Sequence, residues 1–113
     1  MERAIKFYET VFNLKLARHQ MGPLDMAWFP MVENGTGSRG SLVFNKDFYK
    51  PSSTDGALIY FSSQTNNVND ELSRVTQAGG KISIPRMLIA PDIGYMAVIL
   101  DSEGNRIALH SRN

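Results

Sequence analysis

The sequence contains no cysteine, which excludes a disulfide framework, a thiolate zinc site and a thiol nucleophile. It has almost no net charge, 12 Lys plus Arg against 11 Asp plus Glu. The balance holds along the chain: residues 1–56 carry seven basic and six acidic side chains, residues 57–113 five of each. No basic stripe is therefore available to neutralise phosphates, and nucleic acid is not an expected partner. Long apolar runs are missing as well. The longest aliphatic one, Met96 to Leu100, falls far short of the roughly 20 residues a membrane span requires, so no membrane partner is expected. No basic segment followed by an apolar stretch opens the sequence, and a cytoplasmic location is the expectation. No glycine-rich phosphate loop follows a strand pattern, and the serines lie in loops without the turn signature of a nucleophile.

What is present is a globular composition, 42% hydrophobic and 10% aromatic over 113 residues. That predicts one α+β domain over residues 1–113. Residues 2–13 place Ala4, Ile5, Tyr8, Val11 and Phe12 on one stripe and Glu2, Lys6, Glu9 and Asn13 on the other side, which predicts an amphipathic helix with Asn13 as a left-handed cap. Leu14 to Met21 and Leu24 to Met31 read as two strands turning at Gly22-Pro23. Residues 33–40, with three glycines and no apolar residue, read as a mobile surface loop before a short strand at Ser41 to Asn45. After a second connection over residues 46–56, a strand is expected at Ala57 to Ser63. A helix capped by Asn67 follows, with Val68, Leu72, Val75 and Ala78 inward and Gly79-Gly80 at its end. Strands at Lys81 to Ile84, with a continuation past Pro85 left open, Gly94 to Leu100 and Asn105 to Ser111 complete the chain.

The second half thus reads β-α-β-β-β and the first half α-β-β-β, the same order without its opening strand. This predicts two copies of one module, residues 1–50 and 56–113. The residues Met-Glu-Arg-Ala-Ile-Lys-Phe-Tyr-Glu-Thr-Val-Phe-Asn-Leu-Lys-Leu at 1–16, the helix end Gln77-Ala78-Gly79-Gly80, and the segment Asp101-Ser102-Glu103-Gly104-Asn105-Arg106-Ile107-Ala108-Leu109-His110 resemble the vicinal oxygen chelate superfamily. That group includes glyoxalase I, extradiol dioxygenases, methylmalonyl-CoA epimerase, and fosfomycin- and bleomycin-resistance proteins. The resemblance covers essentially the whole chain and implies two β-α-β-β-β modules whose sheets curl around a cleft. The first strand of module one is absent here. Either the sequence begins at an internal methionine of a longer one, which is the preferred reading because a missing edge strand would also open the core to water, or the absence exposes the unpaired edge of its neighbour and invites strand donation by another subunit.

In metal-dependent members of that superfamily, His, Gln or Glu ligands come from the first and last strands of each module. Of those positions, the one in the last strand of module one falls on Leu42 or Val43, the next on Leu58, and the last on Ala108. Aliphatic groups cannot coordinate a cation. The resemblance therefore implies members that bind organic molecules without metal, and neither a metal nor a cofactor is expected.

Other candidates follow from the residues themselves. Arg106 and His110 share the strand face of Ala108 by period-two alternation, so His110 is a candidate for the cleft, against solvent exposure near the chain end. Tyr60, on the face of Leu58, offers a hydroxyl at the cavity wall or simply packs in the core. Trp28 reads as core or as a stacking plate for a planar ligand. Residues 85–93 read as a lip over the pocket, with Arg86 offering a fork to a carboxylate or phosphate, or merely solvated. The expected function is metal-independent binding of a small organic molecule by a homodimer, through Trp28, Leu58, Tyr60, Arg86, Ala108 and His110. The alternative is a metal-dependent lyase, isomerase or dioxygenase with a non-standard ligand set, such as His19 and His110 with Glu33 or Asp47.

Overall fold

A computed structural model describes residues 1–35 and 37–113; the loop expected at 33–40 includes Thr36, which lies outside the described residues. The chain is α+β. Its elements run α1 (Glu2–Phe12), β1 (Ala17–Met21), β2 (Leu24–Trp28), β3 (Ser41–Phe44), β4 (Ile59–Ser62), α2 (Val68–Val75), β5 (Lys81–Ala90), β6 (Gly94–Leu100) and β7 (Arg106–Ser111). They form a three-stranded sheet in the order β1-β2-β3 and a four-stranded sheet in the order β4-β7-β6-β5. All pairings are antiparallel except β4 with β7, which is parallel.

The caps read in the sequence are in place. Asn13 closes α1 at φ 51°, and the Asn67 side chain accepts from the Asn69 amide at 3.0 Å to open α2. Helix α1 buries Ala4, Phe7, Tyr8, Val11 and Phe12. Phe7, outside the expected stripe, is fully buried, whereas Ile5 is only half-buried, because α1 is covered along a wider arc than a single apolar stripe. The core joins that helix to Val68, Leu72 and Val75 of α2 and to Ala97, Ile99, Ile107 and Leu109 of the second sheet.

Several boundaries move from their expected places. Strand β1 starts at Ala17 rather than Leu14, because the amides of Leu14 and Leu16 are taken by the Glu9 carbonyl (3.2 Å) and the Glu9 carboxylate (2.9 Å). Strand β2 ends at Trp28, ahead of Pro30, which has no amide to donate to a ladder. The largest correction concerns residues 85–93. They form no separate lip, because β5 continues through Pro85 to Ala90. β5 is the edge strand of its sheet, and its register against β6 slips between Ile84 and Met87, so the missing proline N–H breaks no regular ladder.

The turn Asp101–Asn105 ties the two halves together. Asp101 is buried and accepts from the Glu103 and Asn105 amides and from Asn105 Nδ2, at 2.9, 2.8 and 3.1 Å. Tyr8 of α1 donates to the same carboxylate at 2.6 Å. Asn105 Oδ1 in turn accepts from the Ser52 amide in the connection between the halves.

Candidate functional site

Side chains alternate along a strand, so the buried residues fix which face of each sheet meets the core. In the first sheet Ala27 is fully buried and Leu42 packs on the core, which turns Met26, Trp28 and Val43 to the opposite face. His19, opposite Met26, stacks there on Trp28 with ring centroids 3.8 Å apart. In the second sheet Ile107, Leu109, Ala97 and Ile99 meet the core. The other face carries one row of register partners, Tyr60, Ala108 and Val98, and a second, Ser62, His110 and Met96.

Between the outer side of β3 and the outer side of β4 lies a cleft of about 890 Å³. Tyr8, Phe29, Leu42, Leu58, Tyr60 and Phe61 supply its apolar lining. Three of its rings touch mutually: Tyr8 to Phe29 at 5.9 Å, Tyr8 to Phe61 at 6.0 Å and Phe29 to Phe61 at 5.9 Å between centroids. Burial raises the Tyr8 phenol above its ordinary value, and the Asp101 carboxylate beside it raises it further, so this hydroxyl stays protonated and donating. Polar groups along the rim include Ser41, Ser52, Lys50 and Arg106.

The structure brings together only some of the expected residues. Leu58 and Tyr60, both about half exposed at 44% and 51%, line the cleft. Trp28 lines a neighbouring depression of about 680 Å³ with Lys15, Met31 and Arg39. Ala108 sits beside Tyr60 in the sheet but is fully buried. His110 Nε2 lies 2.9 Å from the Ile93 carbonyl oxygen. Arg86, on β5, stacks its guanidinium 3.5 Å over the Tyr95 ring, with its Nε buried and unpaired among the described residues. The aromatic floor of Tyr8, Phe29 and Phe61 escaped the sequence reading. Its only signal was aromatic content in an amphipathic helix and two strands, and that signal does not say which rings meet.

A family model for the Glyoxalase/Bleomycin resistance protein/Dioxygenase superfamily matches residues 1–109. This chain belongs to that superfamily. Solved structures agree on the fold. Glyoxalase I from Zea mays superposes with a TM-score of 0.70 at 19% identity, over 98% of this chain and 42% of that one. A hypothetical protein from S. aureus gives 0.69 at 16% identity, over 98% and 84%. A glyoxylase/bleomycin resistance protein/dioxygenase domain from Frankia sp. EAN1pec gives 0.68 at 14%, over 98% and 87%. The chain thus spans about two-fifths of the maize enzyme it matches. No curated protein matches the sequence.

The metal implied by the superfamily does not fit the residues present at the positions to which the resemblance points. The side chains of Leu58 and Ala108 carry no lone pair, and neither do those of Leu42 and Val43. Among the described residues no three His, Cys, Asp or Glu side chains gather as a cation would require, so His19 and His110 do not form a set with Glu33 or Asp47. No helix among the described residues is long and apolar enough to cross a membrane.

Proposed function

We propose that this superfamily member binds a small, partly apolar organic molecule without a metal ion, in the cleft between β3 and β4, as a cytoplasmic homodimer. The observation that carries this reading is the cleft itself: an aromatic floor of Tyr8, Phe29 and Phe61 with a few polar groups at its rim, in the size range of organic-ligand sites. Leu58 and Tyr60 form one wall of that site. Trp28, Arg86, Ala108 and His110 belong to the same reading but lie outside the lining of this cleft, with the His19-backed Trp28 ring offering a stacking surface in the neighbouring depression. The apolar side chains exposed on β5, Met87, Leu88 and Ile89, support a homodimer, since such a patch is ordinarily covered.

Elemental analysis of protein purified without chelator and offered Mn, Fe(II), Co, Ni and Zn tests the metal-free part. Less than a tenth of an equivalent, on the order of background, is the expected result. About one metal per chain would overturn it and favour the metal-dependent lyase, isomerase or dioxygenase alternative. A thermal-shift screen of planar organic acids and aromatic compounds then identifies the ligand class. A screen in which no compound stabilises the protein, or none loses affinity on changing Tyr60, removes the cleft assignment.

A further inference from the structure

We propose that Asn34 is a self-modification site: the Gly35 backbone nitrogen attacks its side-chain amide and converts it to aspartate or isoaspartate, adding a negative charge to the loop between β2 and β3. The chemistry needs an asparagine, a following residue with no side chain to block the attack, and freedom of both groups from contacts that hold them. Asn34 is the only asparagine in the sequence followed by glycine. It is exposed, sits in a turn at φ 60°, and its side chain has no hydrogen-bond partner among the described residues. The nucleophile is held by a single turn contact, from Gly35 N–H to the Val32 carbonyl at 3.1 Å. Such a bond in an exposed loop opens far more readily than one in the core.

The fold withholds the same reaction from other asparagines. Asn45 Oδ1 accepts from the Asp47 amide at 3.0 Å, Asn66 Oδ1 from the Arg112 amide at 2.8 Å and Asn67 Oδ1 from the Asn69 amide at 3.0 Å. Asn105 is held at both side-chain atoms, accepting from the Ser52 amide and donating to Asp101. The amides that follow Asn13 and Asn69 are tied into the ends of α1 and α2, by the Glu9 and Asn67 carbonyls. Each of these asparagines also precedes a residue with a Cβ.

The step balances with water as its one co-reactant. The Gly35 nitrogen loses its proton and bonds to Asn34 Cγ, the Cγ–Nδ2 bond breaks, and the departing nitrogen takes up that proton and leaves as ammonia. Water then opens the five-membered imide at either carbonyl. Opening at Cγ restores the ordinary backbone with an aspartate, and opening at the main-chain carbonyl routes the chain through Cγ as isoaspartate. Either product cancels the formal net charge of +1. The same loop supplies Met31 and Arg39 to the depression beside Trp28, so the new carboxylate enters a segment that borders it.

The test holds the intact folded chain at mildly alkaline pH and follows it by intact mass and by peptide mapping that separates aspartate from isoaspartate. Conversion of Asn34 ahead of every other asparagine is expected, with both products present. The rate is expected to rise with pH, because the deprotonated amide nitrogen is the nucleophile. Gly35→Ala is expected to slow the reaction about tenfold, a barrier higher by about 1.4 kcal/mol, since the added methyl flanks the attacking nitrogen and stands 3.0 Å from Val32 Cβ. Asn34→Gln, which would have to close a larger ring, is expected to keep its mass over the same period. The neighbouring case Asp55-Gly56 has no amide to lose, so it leaves the mass unchanged and does not confuse the reading. An unconverted Asn34, or earlier conversion of another asparagine, would overturn the proposal. So would aspartate as the sole product, which marks direct hydrolysis without the imide, an unchanged rate in Gly35→Ala, or the same mass gain in Asn34→Gln.

Discussion

The Tyr8 hydroxyl donates a 2.6 Å hydrogen bond to Asp101 Oδ2, joining the first helix to the turn between the last two strands. Both residues are buried, at 4% exposure each, and Asp101 is already engaged with the amides of Glu103 and Asn105. The Asp-Ser-Glu-Gly-Asn segment that carried the family resemblance therefore acts here as a structural clasp. Tyr8→Phe is expected to destabilise the fold by about 1–3 kcal/mol, because a buried carboxylate oxygen loses a donor. Urea unfolding followed by circular dichroism checks this, and an unchanged midpoint would show that the contact adds nothing to stability.

Gly80 is the second point where the halves are pressed together. A Cβ there would stand 2.4 Å from Phe7 Cε2 and 2.6 Å from the Leu100 carbonyl oxygen. Neither the buried ring nor the strand backbone has room to retreat. Gly80→Ala is expected to cost roughly 1–3 kcal/mol, whereas Gly104→Ala meets no atoms at its Cβ and strains only its φ of 87°. Thermal melts of both variants measure the difference, and a larger loss for Gly104→Ala would contradict the packing described.

Acid should weaken the same seam. Arg3 Nε and Glu103 Oε2 are 2.8 Å apart, and this hydrogen-bonded pairing, with help from Ser102, holds the Glu103 carboxyl down at about 2. A folded-state value below the unfolded one contributes stability that is fully present above the ordinary 4.5 and is lost as pH falls from there toward 2. Because Arg3 is largely exposed, the contribution is small and screened by salt. Carboxyl titration by NMR in Arg3→Ala should show Glu103 moving up toward its ordinary range; a titration that stays low would assign the depression to other groups.

For the cleft, Tyr60→Ala removes a half-exposed ring from the wall while leaving the buried Ala108 and Val98 row beneath it in place. Affinity for a compound found by screening is expected to fall about tenfold, near 1.4 kcal/mol, with the melting temperature of the free protein little changed. Titration calorimetry reads the first effect and a melt the second. Equal affinity in the variant would move the binding site elsewhere.

Local chemistry made the elements legible. Asn13 needs no partner to favour a left-handed cap, Asn67 caps α2 with its own side chain, and Gly22-Pro23 makes a two-residue turn, so these features were readable from adjacent residues. The mixed α+β order and the superfamily were equally visible, because periodicity and the Asp101–His110 segment are properties of the sequence. The replacement of possible ligands by Leu58 and Ala108 was also written there, since chemistry that a side chain lacks cannot be restored by folding.

What only the tertiary structure decided is which residues meet. Nothing local says that β5 runs on through Pro85; that depends on its being an edge strand with a shifted register. Nothing local brings Phe29 and Phe61, 32 positions apart in sequence, to the same Tyr8 ring, or turns Arg86 onto Tyr95. The sequence by itself determined the elements and the chemistry each residue can offer. Long-range packing, which depends on the mutual fit of distant surfaces, decided where that chemistry converges.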